Sequence, residues 1–241
     1  MRVSPCVVSI DPDAGEELQT LGPSTGFERL EQSIVQCEPG ARLVASCGPV
    51  ETVMFVLRGD GVLRVGGSAH ELEPESGVCL APGEEYELES RGEQPLRLVR
   101  VRIPDPEPAA HNGARERQVV RRLSEQEAQD ATTDREFRVV ADPHTGLHSA
   151  THFVGYIPTT RAPEHFHTYD EVIYVLDGEG LFHAGELHEP LRPGSCIQLP
   201  ARTVHCLENT GSETMRVVGV FRPAGSPASA YYPDGTPAHT P

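Results

Sequence analysis

The 241-residue sequence predicts an all-β protein built as two tandem barrels, and three observations carry that reading. Short Val-rich alternating runs, punctuated by 23 Gly and 22 Pro, indicate many brief strands and tight turns. The second half repeats the first: a shift of 119 positions pairs Gly59 with Gly178, Gly61 with Gly180, Gly66 with Gly185, Val53 with Val172, Leu80 with Leu199 and Arg97 with Arg216, with no gap. The length also suits two units of about 100 residues, each large enough for its own buried core.

Taken in order, residues 1–103 form the first predicted barrel. Residues 104–118, from Pro104 through Pro106 and Pro108 to Arg117, are polar and proline-rich and read as a linker. Ser124 followed by Glu127 has the form of a capping box and predicts a short helix near 125–132. The strand at Phe137, a turn over Asp142 to Gly146 and a strand near 147–157 then open the second barrel, residues 119–223. The tail, residues 224–241, lacks periodicity and is expected either to wrap the barrel or to stay loose.

The richest stretch is His165-Phe166-His167-Thr168-Tyr169-Asp170-Glu171, answered by Pro200 and His205. Residues i and i+2 of a strand project to one face, so His165 and His167 point together. Glu171 has the same parity and returns to that face if Thr168-Tyr169-Asp170 merely bends the strand. From Glu171 to Leu176 an apolar strand runs into a turn at Asp177 to Gly180, while His205 follows the apolar run Cys196 to Leu199 and can enter from a neighbouring strand. A His-x-His pair alone is usually two polar residues on a wet sheet face. Glu171 and His205 at matching offsets, with turn glycines at Gly178 and Gly194, make a metal site the better reading. Imidazoles and a carboxylate suit Fe, Mn, Ni, Co or Zn, and four protein ligands on an octahedral ion leave two positions open.

These residues resemble the two motifs of the cupin superfamily. The first motif is matched by His165, His167, Glu171 and Gly178, with Thr159 where the family has its leading Gly. The second is matched by Gly194, Pro200, His205 and Asn209, with Arg202 in place of the middle Gly. The resemblance implies double-stranded β-helix (jelly-roll) barrels and one divalent transition metal per chain on His165, His167, Glu171 and His205, with Fe, Mn or Ni favoured over Zn or Co. It implies a cupin metalloenzyme acting on a small organic molecule, foremost a metal-dependent dioxygenase. The alternatives are a non-redox cupin (decarboxylase, isomerase, cyclase or a hydrolase similar to ureidoglycine aminohydrolase) and a non-catalytic small-molecule-binding cupin. Under the repeat, His165, His167, Glu171 and His205 fall on Ser46, Gly48, Thr52 and Tyr86; moved by one residue they fall on Ala45, Cys47, Glu51 and Glu87. Neither register offers an imidazole, so the first barrel is expected to be metal-free and to support the second.

Further candidates surround the expected mouth. His148, His152 and His183 lie on flanking strands and are acid, base or supporting groups if they face inward, although histidine on a sheet is more often half-exposed. Tyr169 and Asp170 occupy the bend between ligands, and Tyr174 follows it; turn chemistry alone accounts for an Asp there. Arg202 is either an anion contact or, as we favour, a solvated loop residue. Cys206 adjoins a ligand, where a small buried residue is a better reading than a nucleophile.

Composition narrows the function. The formal charge of −16 argues against nucleic acid or an anionic membrane as partner. Every basic residue is Arg, which excludes a lysine Schiff base or lysine general base. No apolar run approaches a membrane span, the N-terminus lacks a leader's apolar region, and six cysteines without a C-x-x-C pair suit a reduced, cytoplasmic setting. Barrel edges and the N-terminal arm point to a homodimer.

Overall fold

The computed structural model describes residues 3–11, 18–106, 117–132 and 134–238. Among them the regular structure is strand throughout, apart from two single-turn 3-10 segments at Pro23–Thr25 and Leu123–Glu125. No helix of the described residues is long and apolar enough to cross a membrane.

The duplication holds at the level of individual strands. Glu51–Arg58, Gly61–Val65, Ser68–Leu72, Ser76–Leu80 and Leu96–Ile103 recur as Asp170–Asp177, Gly180–Ala184, Leu187–Leu191, Ser195–Leu199 and Met215–Arg222, each displaced by the 119 positions read from the sequence. The matched turns explain why. Gly59 and Gly178 have φ of 79° and 88°, and an added Cβ would sit 2.4 Å from the Pro95 carbonyl oxygen in one case and 2.7 Å from Met215 Cα in the other. Such left-handed, tightly overlain corners accept little but glycine.

Each half folds a large sheet over a small one. In the first, the central strands Ser76–Leu80, Glu51–Arg58, Leu96–Ile103 and Glu31–Cys37 face a four-stranded sheet ending in Arg42–Ser46. In the second, Ser195–Leu199, Asp170–Asp177, Met215–Arg222 and Thr151–Ile157 face a three-stranded sheet of Leu187–Leu191, Gly180–Ala184 and Cys206–Asn209. Alternation along the strands divides their side chains between two cores. Met54, Val56 and Leu98 fill the first barrel and Ile173, Val175 and Val217 the second. The opposite faces, with Val53, Phe55, Val172, Tyr174 and Val218, join in a core between the two large sheets.

The sheets exchange strands, and one expectation, the helix near 125–132, needs correction. The barrels trade edge strands: Cys6–Ser9 pairs with Ser195–Leu199 of the second barrel, and Val120–Arg122 pairs with Ser76–Leu80 of the first. Each large sheet therefore includes one strand from the other side of residues 104–118. The helix near 125–132 does not form. Leu123 is buried between the barrels, Val120–Arg122 is held extended on one sheet and Gln129–Asp130 on the other, leaving room for one 3-10 turn with no side-chain cap. Tertiary pairing overrides the local capping signal. Most of the expected linker, residues 107–116, lies outside the described residues; its ends are anchored by Arg117, which forks onto Glu84 at 2.6 and 2.5 Å, and by Pro104, whose carbonyl accepts from Arg222.

Candidate metal centre

His165 and His167 occupy the edge of the second barrel, where the chain bends before Asp170–Asp177. His165 faces His205 as a hydrogen-bonded antiparallel pair, with N–H to carbonyl distances of 3.1 Å and 2.8 Å. That pairing brings a residue 40 positions away directly alongside the first histidine. One ligating atom from each of His165, His167 and His205 lies within 4.8 Å of the others. Glu171 lines the same cavity at the start of the next strand, its Oε1 resting against Gly219, but it is not a member of that 4.8 Å cluster.

The imidazoles are oriented from behind. Nδ1 of His165, His167 and His205 lies 2.9, 2.8 and 2.9 Å from the carbonyl oxygens of Pro163, Ser229 and Thr203. A carbonyl only accepts, so each Nδ1 carries the proton and each Nε2 keeps its lone pair. Burial lowers all three pKa values: His167 falls to about 3, and His205 is held well below its ordinary value by burial and by its two neighbours. Burial has the opposite effect on Glu171, whose carboxyl is pushed up to about 8. Three neutral imidazoles and a buried carboxyl that would exchange its proton for a cation match the donor set of a transition metal.

The remaining wall is aromatic and apolar. Tyr169 stacks on His167 with ring centroids 4.6 Å apart and on Phe221 at 3.9 Å, fixing the His167 ring plane. Gly219 leaves space for Phe153: a Cβ there would lie 2.5 Å from that ring. Phe137, Phe153, Ile173 and Val217 complete a cavity of ≈ 90 Å³. Asp170 stays outside it, accepting from the Ala201 amide at 2.9 Å and pairing with Arg29 at 2.8 Å, so it ties the loop before His205 to the first barrel.

The other candidates lie elsewhere. His152 projects into the core between the barrels, edge-on to Phe55, with an unpartnered Nδ1 and a pKa lowered to about 3 by burial. Tyr174 is in that core too. His183 sits on the small sheet, with Nδ1 2.9 Å from His188 Nδ1 and Nε2 2.8 Å from Glu208. His148 is half-buried, and its amide donates to Glu51 at 2.7 Å. Arg202 is exposed, and its φ of 64° shows that it takes the left-handed turn that the resemblance assigns to Gly. The buried Cys206 thiol is 3.0 Å from the Ala162 carbonyl, and desolvation raises its pKa.

Sequence reasoning missed two contributors. The tail returns to the site: Tyr231 pairs with Phe166, Ser229 holds His167, and Pro227 and Ala230 line the cavity. Arg135, from the turn before Glu136–Ala141, also lines it. No local pattern marks either; the alignment of the tail's polar backbone with the ligand strand is set by folding.

Comparison with known proteins bears on this geometry. Residues 152–221 match the family model described as "Cupin domain". A 66-residue stretch is 32% identical to acireductone dioxygenase of Leishmania major, spanning 25% of this chain and 19% of that protein's length. Among solved structures, protein Ylba from E. coli aligns with a TM-score of 0.74 at 12% identity, covering 91% of both chains. A single-residue variant of Bacillus subtilis oxalate decarboxylase aligns with a TM-score of 0.75 at 11% identity, covering 95% of this chain and 79% of its own, and a further structure of that enzyme concerns its Mn(II) centres. At these identities the two structures bear on fold alone, that of two tandem β-barrels. Together the family-model match over residues 152–221 and the two structural alignments support a cupin-like fold for the second barrel.

Proposed function

We propose that the second barrel is a metal-dependent dioxygenase centre for a small organic molecule, with one Fe, Mn or Ni ion per chain held by His165, His167, His205 and Glu171. The observation that carries this reading is the three backbone-locked Nδ1 atoms, which turn three lone pairs toward one point. Likeness to acireductone dioxygenase over 66 residues favours oxygen chemistry. A bound ion would supply open coordination positions and polarise what binds there. The protein's own part is to keep the imidazoles neutral and fixed, to exclude water with Phe137, Phe153 and Tyr169, and to hold a proton on Glu171 until a cation displaces it. A non-redox, decarboxylase-like reaction is the second reading. It is favoured by the position of Glu171 outside the tight histidine cluster, where its carboxyl can serve as acid or base. In both readings the first barrel is support.

Elemental analysis with an oxygen-uptake screen over small phenols, thiols and keto acids tests this. The expected result is about one ion per chain, falling to about a tenth or less in His167→Ala, with oxygen consumed in the presence of substrate. Full metal occupancy in both His167→Ala and Glu171→Ala would overturn the site. Anaerobic turnover with Zn would select the second reading.

A further inference from the structure

The cavity wall holds one cation that metal binding does not use. The guanidinium of Arg135 reaches the wall shared by His165, His167 and His205, and its Nη2 donates to the Leu207 carbonyl. Its Nε is buried without a hydrogen-bond partner, and no carboxylate among the described residues pairs with it. Several arginines away from the cavity are paired with carboxylates, whereas Arg138 shares the pattern of one carbonyl and an unpartnered Nε but does not line the cavity. Arg117 forks onto Glu84, Arg216 bridges Glu75 and Asp177, and Arg64 bridges Glu87 and Glu89. Arg135 is tethered at one end by a neutral carbonyl and left unsatisfied at the other, and a buried cation without a counter-charge is costly.

Charge and shape indicate what would satisfy it. Three neutral imidazoles and one carboxylate around a divalent ion leave one positive charge, and Arg135 adds a second within a low-dielectric cavity. Its field already acts on all three imidazoles, lowering their pKa values further. The planar guanidinium matches a carboxylate better than it matches a neutral carbonyl. Beyond it the wall of Phe137, Phe153, Ile157, Ile173 and Val217 is apolar around a cavity of ≈ 90 Å³.

We propose that Arg135 is the carboxylate-binding residue of this cavity and that the substrate is a small carboxylic acid with a short apolar body. The assignment deepens the proposed function, resting on it for the metal but not for the guanidinium. The test is titration calorimetry of acetate, pyruvate and isobutyrate, each against its own amide, on native and on chelator-treated protein, with thermal unfolding and metal content measured alongside. In the wild type at least one acid is expected to bind about tenfold more tightly than its amide, the worth of one charge-assisted contact. That preference should fall to about onefold in Arg135→Met with metal content unchanged, and be partly restored in Arg135→Lys. Arg135→Gln, which retains a donor for Leu207, replaces the Met variant if that one unfolds. Equal affinity for acids and amides in the wild type, or a preference surviving in the Met or Gln variant, overturns the proposal. An acid preference that depends on Arg135 in protein that never holds metal would sink the metal reading and leave this one standing.

Discussion

Five strands of the two barrels share their boundaries residue for residue, yet the barrels end in opposite ways at the open edge. In the second, His165 pairs with His205, and their rings, with that of His167, turn into a cavity. In the first, Arg42–Ser46 pairs with Glu85–Ser90 so that Ala45 lies opposite Tyr86. Ala45 and Cys47 thereby stand where His165 and His167 stand, and with Tyr86 they pack into the apolar core. The same exchange occurs on the small sheets, where Arg64 and Glu89 pair at 2.6 Å and the matched His183 and Glu208 at 2.8 Å. Duplication preserved the turns and the spacing, while a few side chains decide whether the mouth is filled or open.

Three experiments sharpen that contrast. The largest effect is expected from removing residues 224–241, because the tail supplies the carbonyl that orients His167. Loss of such an orienting partner costs about 10–100-fold in metal affinity, measurable by chelator competition; unchanged affinity would mean that the tail only covers the site. Acid comes next. A histidine whose folded pKa is near 3 while its unfolded value is 6.5 binds its proton only on unfolding. Stability is therefore full above pH 6.5 and is lost as pH falls toward 3, by up to about 1.4 kcal/mol per pH unit for each such histidine. In metal-free protein, His152→Leu should flatten the dependence of Tm on pH below 6.5; the same slope as wild type would remove His152 from the account. Glu171 acts in the other sense, favouring the fold below its unfolded value and losing that contribution as pH rises through about 8. The smallest effect belongs to Tyr86→Phe, expected to cost about 0.5–1.5 kcal/mol in thermal unfolding with metal content untouched. Loss of metal there would show that the barrels' mouths are not independent.

Much of this was legible because it is local. Gly59 and Gly178 mark their turns by a backbone requirement, and the parity of His165, His167 and Glu171 follows from the strand period of two. The repeat amplified both signals. What was hidden depends on pairing at long range. Nothing near Ser124 says that its two flanks belong to different sheets, so the capping pattern misleads. Arg135 resembles any surface arginine until the fold buries its Nε, and the carbonyl of Ser229 has no side-chain signature. His152 lies on a ligand-flanking strand, but its parity sends it to the opposite face, against Phe55.

The reciprocal loan of Cys6–Ser9 and Val120–Arg122 means that neither barrel is a self-sufficient folding unit. A chain cut in the linker would leave Ser195–Leu199 without its outer neighbour and would expose a buried, largely apolar strand as a docking edge. The isolated second half should therefore recruit a replacement strand from another copy and behave as an aggregation-prone fragment.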